Sequence, residues 1–206
     1  TSGSEPAIPA LLERCARATN DDPVLLEALE RASKLEGASA DPLREAVELA
    51  ERLDEKARAE ELLERAVALT PESRASEAVW AQLALAEKAK ARADHKNTVR
   101  WLRAAATGSD TAEAYTYTLE AAGLATNELE DLELGAQLYE QLFARDAADR
   151  AVWEPLLKLH RKRNDRPALE RVIAAAVEAV FDASERNRLR MERAKILLEE
   201  TGRADD

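Results

Sequence analysis

The chain has 206 residues, and Ala (43), Leu (29), Glu (28) and Lys plus Arg (30) account for 130 of them, while Val and Ile total 12 and aromatics 8. Too little is left for a sheet core, so the composition belongs to long helices or helical arrays. A net charge of −11 lacks the Lys/Arg surplus of a general nucleic-acid binder, and a single Cys excludes an internal disulfide framework or a structural zinc site.

The start, Thr1-Ser2-Gly3-Ser4-Glu5-Pro6, has no initiator Met and no signal-peptide pattern, so the chain is expected to be a piece of a longer protein. Eleven helices are predicted, over about 6–18, 22–36, 41–53, 55–69, 75–92, 95–107, 111–125, 128–145, 149–163, 166–180 and 184–201. Asp22-Pro23 and Asp41-Pro42 each set a capping acceptor before a first-turn proline. Asp110 with Glu113, Asn127 with Glu130, and Asp182 with Glu185 have capping-box spacing. Gly37, Gly108 and Gly202 follow apolar-periodic runs, where helices end. Each helix carries an apolar stripe at three- and four-residue spacing, as in Trp153, Leu156, Leu157 and His160. A cap, Gly or Pro interrupts the pattern every 15 to 20 residues, which excludes one long coiled coil and predicts antiparallel helix pairs.

The pairs repeat. At an offset of 73, Ala78-Val79-Trp80 falls on Ala151-Val152-Trp153 and Leu83 on Leu156. Tyr115 lies 35 residues after Trp80, and Leu43 lies 37 before it. A period near 36 holding two helices is a helical-hairpin repeat, whose units bury their apolar faces only by stacking.

The stretch from Tyr139 to Trp153 resembles the junction between two tetratricopeptide repeats, with one aromatic fourteen residues before the next. Trp101 to Tyr115 and Leu29 to Leu43 have the same spacing. The segment Ala59 to Pro71 is similar to the family's second helix: Ala59 and Ala66 stand at its small positions, Leu63 at its aromatic and Pro71 at its closing proline. Leu119 and Leu157 replace its small first-helix residue, and the turn glycine is mostly missing. The resemblance implies an all-α, right-handed α-solenoid of about five and a half hairpins, over 5–38, 41–73, 75–109, 111–147, 149–182 and a partial 184–206. Gly202 falls at the turn of the sixth. Met191, Ala194, Leu197 and Leu198 make the last helix half-apolar, so either further repeats follow or it is itself the cap.

Catalytic and cofactor signals are absent from the sequence: no Gly-rich phosphate loop, no Gly-x-Ser-x-Gly elbow, no metal-ligand spacing beside His95 or His160. His160 reads as a packed helix-face histidine and Cys15 as a small core residue. Charge is segregated. Asp110 to Asp149 carries ten acids and one base, whereas Lys158 to Lys195 carries eleven bases and six acids. Neighbouring hairpins offsetting each other would explain this, as would a surface that steers a charged partner.

The family's first helices line a groove that holds extended peptides or partner helices. Counted from each opening residue, the corresponding positions are Ala78, Ala81, Leu85 and Lys88; Glu113, Thr116, Glu120 and Gly123; and Ala151, Glu154, Lys158 and Arg161. The Lys/Asn set with which some members clamp a terminal carboxylate is missing from them. The expected function is a non-catalytic interaction module for a protein or peptide, with Leu85, Lys88, Thr116, Glu120, Lys158 and Arg161 as contact residues. No cofactor, nucleic acid or membrane insertion is expected. The alternatives are a structural spacer or self-association segment, packing through Ala81 and Leu85, and a regulatory domain of an enzyme encoded outside this stretch.

Overall fold

The computed structural model describes residues 7–35 and 37–200; Gly202 and the expected sixth turn lie outside them, as do residues 1–6. Among the described residues the chain is all-α, with eleven α-helices and no strand. It divides into two compact units, 1–114 and 115–206. The first holds α1 (Ala7–Thr19), α2 (Asp22–Ala32), α3 (Asp41–Arg52), α4 (Lys56–Leu69), a 3-10 segment (Glu72–Ala78), α5 (Val79–Ala91) and α6 (His95–Gly108). The boundary falls in α7 (Thr111–Asn127), and the second unit continues with α8 (Leu132–Arg145), α9 (Arg150–Lys162), α10 (Arg166–Ala179) and α11 (Ala183–Glu200). From α1 to α6, and again from α8 to α11, each helix packs on the next. Short turns between packed neighbours make them antiparallel hairpins.

One turn recurs in five hairpins. Its left-handed residue is Asn20, Asp54, Ala93, Glu130 or Asn164, all with φ between 52° and 59°. The next residue, Asp21, Glu55, Asp94, Asp131 or Asp165, caps the second helix. The four aspartates accept from the N–H groups of Val24, Asn97, Leu134 and Ala168 at 3.0 to 3.2 Å. The cap's own N–H donates back five residues to the carbonyl of Ala16, Ala50, Ala89 or His160, and six residues to that of Ala125, where the turn is one residue longer. These bonds satisfy the carbonyls that a helix end leaves open, in the manner of a Schellman motif.

A left-handed residue other than Gly carries a steric cost, smallest for Asn and Asp. Ala93 and Glu130 are exposed and have no side-chain role in the turn. Ala93→Gly and Glu130→Gly should therefore each stabilise the chain by about 1 kcal/mol and raise Tm by about 2–4 °C. Asn20→Gly and Asn164→Gly should move it little. Thermal melts decide the matter, and a fall at position 93 would contradict the turn geometry.

The carbonyl acceptors of the turn fix the register of the repeats. Ala89 and His160 occupy the same place and are 71 residues apart, not 73. Burial agrees: Ala81, Gln82, Leu85, Ala86 and Ala89 are buried in α5, as are Val152, Trp153, Leu156, Leu157 and His160 in α9. Gln82, not Trp80, is thus the counterpart of Trp153. In the same register Thr118 replaces Tyr115 as the opening position of α7. Ala122, buried, replaces Leu119 as the small residue. The 3-10 segment with its kink at Arg74 (φ −125°) adds residues between α4 and α5, which displaces the simple sequence match.

Other boundaries shift for local reasons. Helix α5 begins at Val79 rather than 75 because the 3-10 segment precedes it. Asp21, not Asp22, caps α2. No side chain caps α3, where Ser39 Oγ instead accepts from the Asp41 N–H at 3.2 Å. Asn127 and Glu130 form no capping box: Asn127 ends α7, Glu130 is the left-handed residue, and Asp131 is the cap. Asp110 and Asp182 do cap as expected, accepting from Glu113 N–H at 3.0 Å and Glu185 N–H at 2.8 Å.

The cores are built from Leu and Ala. Leu26, Leu29, Leu43 and Leu63 fill the first unit, with Ala46, Ala50, Ala59 and Ala66 where helices approach. Trp153, Leu142, Leu156 and Ile173 fill the second, with Ala136 and Ala176. Small residues at crossings let the larger ones interdigitate at native density. Cys15 is exposed, contrary to the core expectation. Ala16, one position on, takes the inward place on α1.

Candidate interaction surface

The register decides which first-helix residues face outward. Ala78, Ala81 and Leu85 are 3%, 0% and 1% exposed, so the expectation that Leu85 is a contact residue is corrected. It belongs to the core, and the exposed positions of α5 include Glu87 and Lys90 instead. Helix α5 is Ala- and Leu-rich on nearly every side, so its sequence offers no polar face to orient it. A self-association face through Ala81 and Leu85 loses its surface for the same reason. Lys88 is half-buried and bonds Glu51 on α3 at 2.7 Å. Thr116 is exposed and Glu120 half-buried on α7. In α9 the two opening residues agree, and Ala151, Lys158 and Arg161 are all exposed, with Glu154 half-buried.

In the first unit much of the charge is paired from hairpin to hairpin. Arg17 holds Glu45 in a two-pronged pair at 2.6 and 2.7 Å. Arg92 holds Glu60 the same way, both contacts at 2.6 Å. Lys34 and Arg58 share Glu30. Lys34 first and then Arg58 hold the Glu30 carboxyl below its usual range; Arg17 does so for Glu45, and Arg92 for Glu60. Such exposed pairs are screened by solvent and contribute little individually, so their weight lies in fixing orientation. Beside them, the Arg44 guanidinium lies 4.8 Å over the partly buried Trp80 ring.

The second unit pairs charge similarly. Arg171 bonds Glu140 at 2.5 Å, Arg193 bonds Glu170 at 2.7 Å and Arg150 bonds Glu185 at 2.6 Å. Arg161 pairs with Glu192. Partial burial, then the charge of Arg188, lowers the Arg161 guanidinium below its usual value. His160 is buried and bonds Glu140 through Nε2 at 2.9 Å, which is the packed role expected of it.

A cleft of about 310 Å³ opens between α7, α8 and α9 within this unit. Asn127 stands on one side, Lys158 and Lys162 on the other, and Pro155, Leu159 and Tyr139 complete its wall. Gly135 brings α8 against α7, since a Cβ there would stand 2.4 Å from Thr126 Oγ1. Burial raises the Tyr139 hydroxyl above its ordinary pKa, so it is a neutral donor at physiological pH. Tyr139 and Asn127 are binding candidates that the repeat pattern assigns to the core and to a cap. Lys162 belongs to the basic run after Lys158 and was legible there as charge.

Among the described residues no three His, Cys, Asp or Glu side chains are grouped to hold a metal ion, and no helix is long and apolar enough to cross a membrane. No protein-family model matches the chain, and no curated protein matches it. Among solved structures, the crystal structure of MamA protein is similar to it, with 13% identity over 99% of this chain and 97% of that one and a TM-score of 0.40.

Proposed function

We propose that the chain is a non-catalytic interaction module of the tetratricopeptide-like kind, which holds a peptide or a partner protein against the outward faces of its first helices. The observation that carries this reading is the recurrence of one capped turn in five hairpins, at Asn20, Asp54, Ala93, Glu130 and Asn164. A recurring hairpin presents side chains of successive helices in register, which suits an extended surface better than a closed reaction chamber. Thr116, Glu120, Lys158 and Arg161 are the proposed contact residues, while Lys88 acts through its pair with Glu51. Lys158 and Arg161 favour an acidic partner segment, chiefly through association rate and specificity.

Affinity capture from the source cell with the wild-type chain and with Lys158→Glu/Arg161→Glu tests the reading. The expected result is a reproducible partner set whose recovery falls at least tenfold in the variant. Equal recovery with both chains would remove these residues from the interface.

A further inference from the structure

We propose that the outer face of α1 docks on the same face of a second copy of this chain, the two helices running antiparallel across a two-fold axis. Ile8, Leu11, Cys15 and Ala18 carry that face and are all exposed, Ile8 by 53% and Leu11 by 57%. Their spacing of three, four and three residues is that of the a/d seam in a coiled coil. The seam points away from the chain's own core. Pro9 and Ala16 are buried on the inward side of α1, with Leu12 and Glu13 half-buried beside them. None of the four seam residues is charged.

Two observations name the occupant. The first is self-complementarity: in an antiparallel pair, each a residue packs in a layer with a d residue of the other helix. Here that sets Leu11 of one copy against Cys15 of the other, and Ile8 against Ala18. Every layer then holds one large and one small side chain, which fills space without overpacking. A parallel pair would instead set Leu11 on Leu11 and Ala18 on Ala18, crowding one layer and thinning the next.

The second is the contrast with α3. The recurring turn puts Ala16 in register with Ala50, so the four seam residues correspond to Pro42, Glu45, Leu49 and Arg52. On α3 those places join the first hairpin through charge, Glu45 to Arg17 at 2.6 Å and Arg52 to Asp22 at 3.1 Å. Helix α1 has no charge at any of them, so it is not built to receive a hairpin in that way. An uncharged seam that matches itself suits a second α1.

The docking is weak by construction. A seam of four positions falls short of the roughly 1,200 Å² that stable interfaces bury. Arg14 flanks the seam, and the two-fold brings it beside its own counterpart, a like-charge contact that salt screens. On the other flank Leu12 meets Leu12.

Sedimentation equilibrium of the full chain should show monomer and dimer in exchange, with a Kd on the order of 100 μM at physiological salt. Leu11→Glu should weaken the dimer about tenfold or more, because docking would bury an unpaired charge. It should leave Tm unchanged, since Leu11 is exposed in the single chain. Arg14→Ala should strengthen the dimer about twofold. Cys15 is the chain's single cysteine and reads the geometry. In the antiparallel register its two Cα atoms stand roughly 10 Å apart, within reach of a short bismaleimide and too far for a disulfide. The bismaleimide should therefore join wild-type copies near the Kd and fail with Leu11→Glu. A chain that stays monomeric at millimolar concentration would overturn the proposal, as would a Leu11→Glu chain that associates and cross-links like wild type. A disulfide forming at Cys15 in preference to the bismaleimide bridge would overturn the antiparallel arrangement. Partner capture through Lys158 and Arg161 shares no residue with this face, so either result leaves the interaction-module reading to its own test.

Discussion

Trp153→Ala is expected to cost about 3–5 kcal/mol of stability, the range for deleting a large buried aromatic. Its indole is 1% exposed in the core of the second unit, with the Arg188 guanidinium 5.8 Å over the ring. Its Nε1 is buried without an acceptor, so the hydrogen-bonding group contributes nothing to offset the loss of packing. Trp153→Phe, which keeps an aromatic and removes that orphaned donor, should cost under about 1.5 kcal/mol. Trp80→Ala should cost less, about 1–3 kcal/mol, because Trp80 is only partly buried and packs against Arg44 at the surface. Denaturant unfolding followed by far-UV circular dichroism reads all three without depending on indole fluorescence. Equal costs at Trp80 and Trp153 would restore the 73-residue alignment and contradict the turn-based register.

That register shows where sequence and structure part company. Helix existence was legible because caps, prolines and apolar periodicity agree locally, as at Asp110, Asp182 and the Leu62-Leu63-Ala66 stripe. The sequence reading sought helix ends at glycines and passed over this turn, although Asn20, Asp54 and Asn164 are residue types that tolerate a left-handed backbone. At Ala93 and Glu130 the following aspartate cap and the returning N–H impose the conformation. Aligning tryptophans placed Leu85 outward; aligning the acids Asp21, Glu55, Asp94, Asp131 and Asp165 places it in the core. In α9 the opening residue Trp153 is the same in both registers, so the count from it that named Lys158 and Arg161 lands on exposed residues. The cleft was beyond reach of any local pattern. The approach of α8, and with it Tyr139, to α7 depends on Gly135 against Thr126, a relation with no sequence period. The blocks of opposite charge had two readings, and the pair Glu140–Arg171 places part of that charge in a contact between α8 and α10 of the same unit.

Gly108→Ala is expected to cost about 2–3 kcal/mol, in the range for overpacking a close contact. The sign is informative, because replacing a helical glycine by alanine ordinarily stabilises by about 0.5–1 kcal/mol. A Cβ on Gly108 would stand 2.6 Å from the Ala75 carbonyl oxygen, 2.8 Å from its carbonyl carbon and 2.8 Å from Val79 Cγ2. Two of those atoms are backbone of the 3-10 segment, which cannot rotate aside as a side chain can. Relief therefore requires the end of α6 to move off the Glu72–Ala78 segment, loosening the packing that sets where α5 begins. Gly135→Ala meets a side chain instead; Thr126 Oγ1 can turn away, at the expense of its 2.8 Å bond to the Ala122 carbonyl, so its cost should be smaller. Gly123→Ala has no clash and should be neutral or stabilising. Denaturant unfolding of the three variants should rank them in that order. Hydrogen exchange at residues 72–80 should accelerate only in Gly108→Ala, and unchanged protection there with unchanged stability would mean that α6 does not approach the 3-10 segment as closely as its glycine allows.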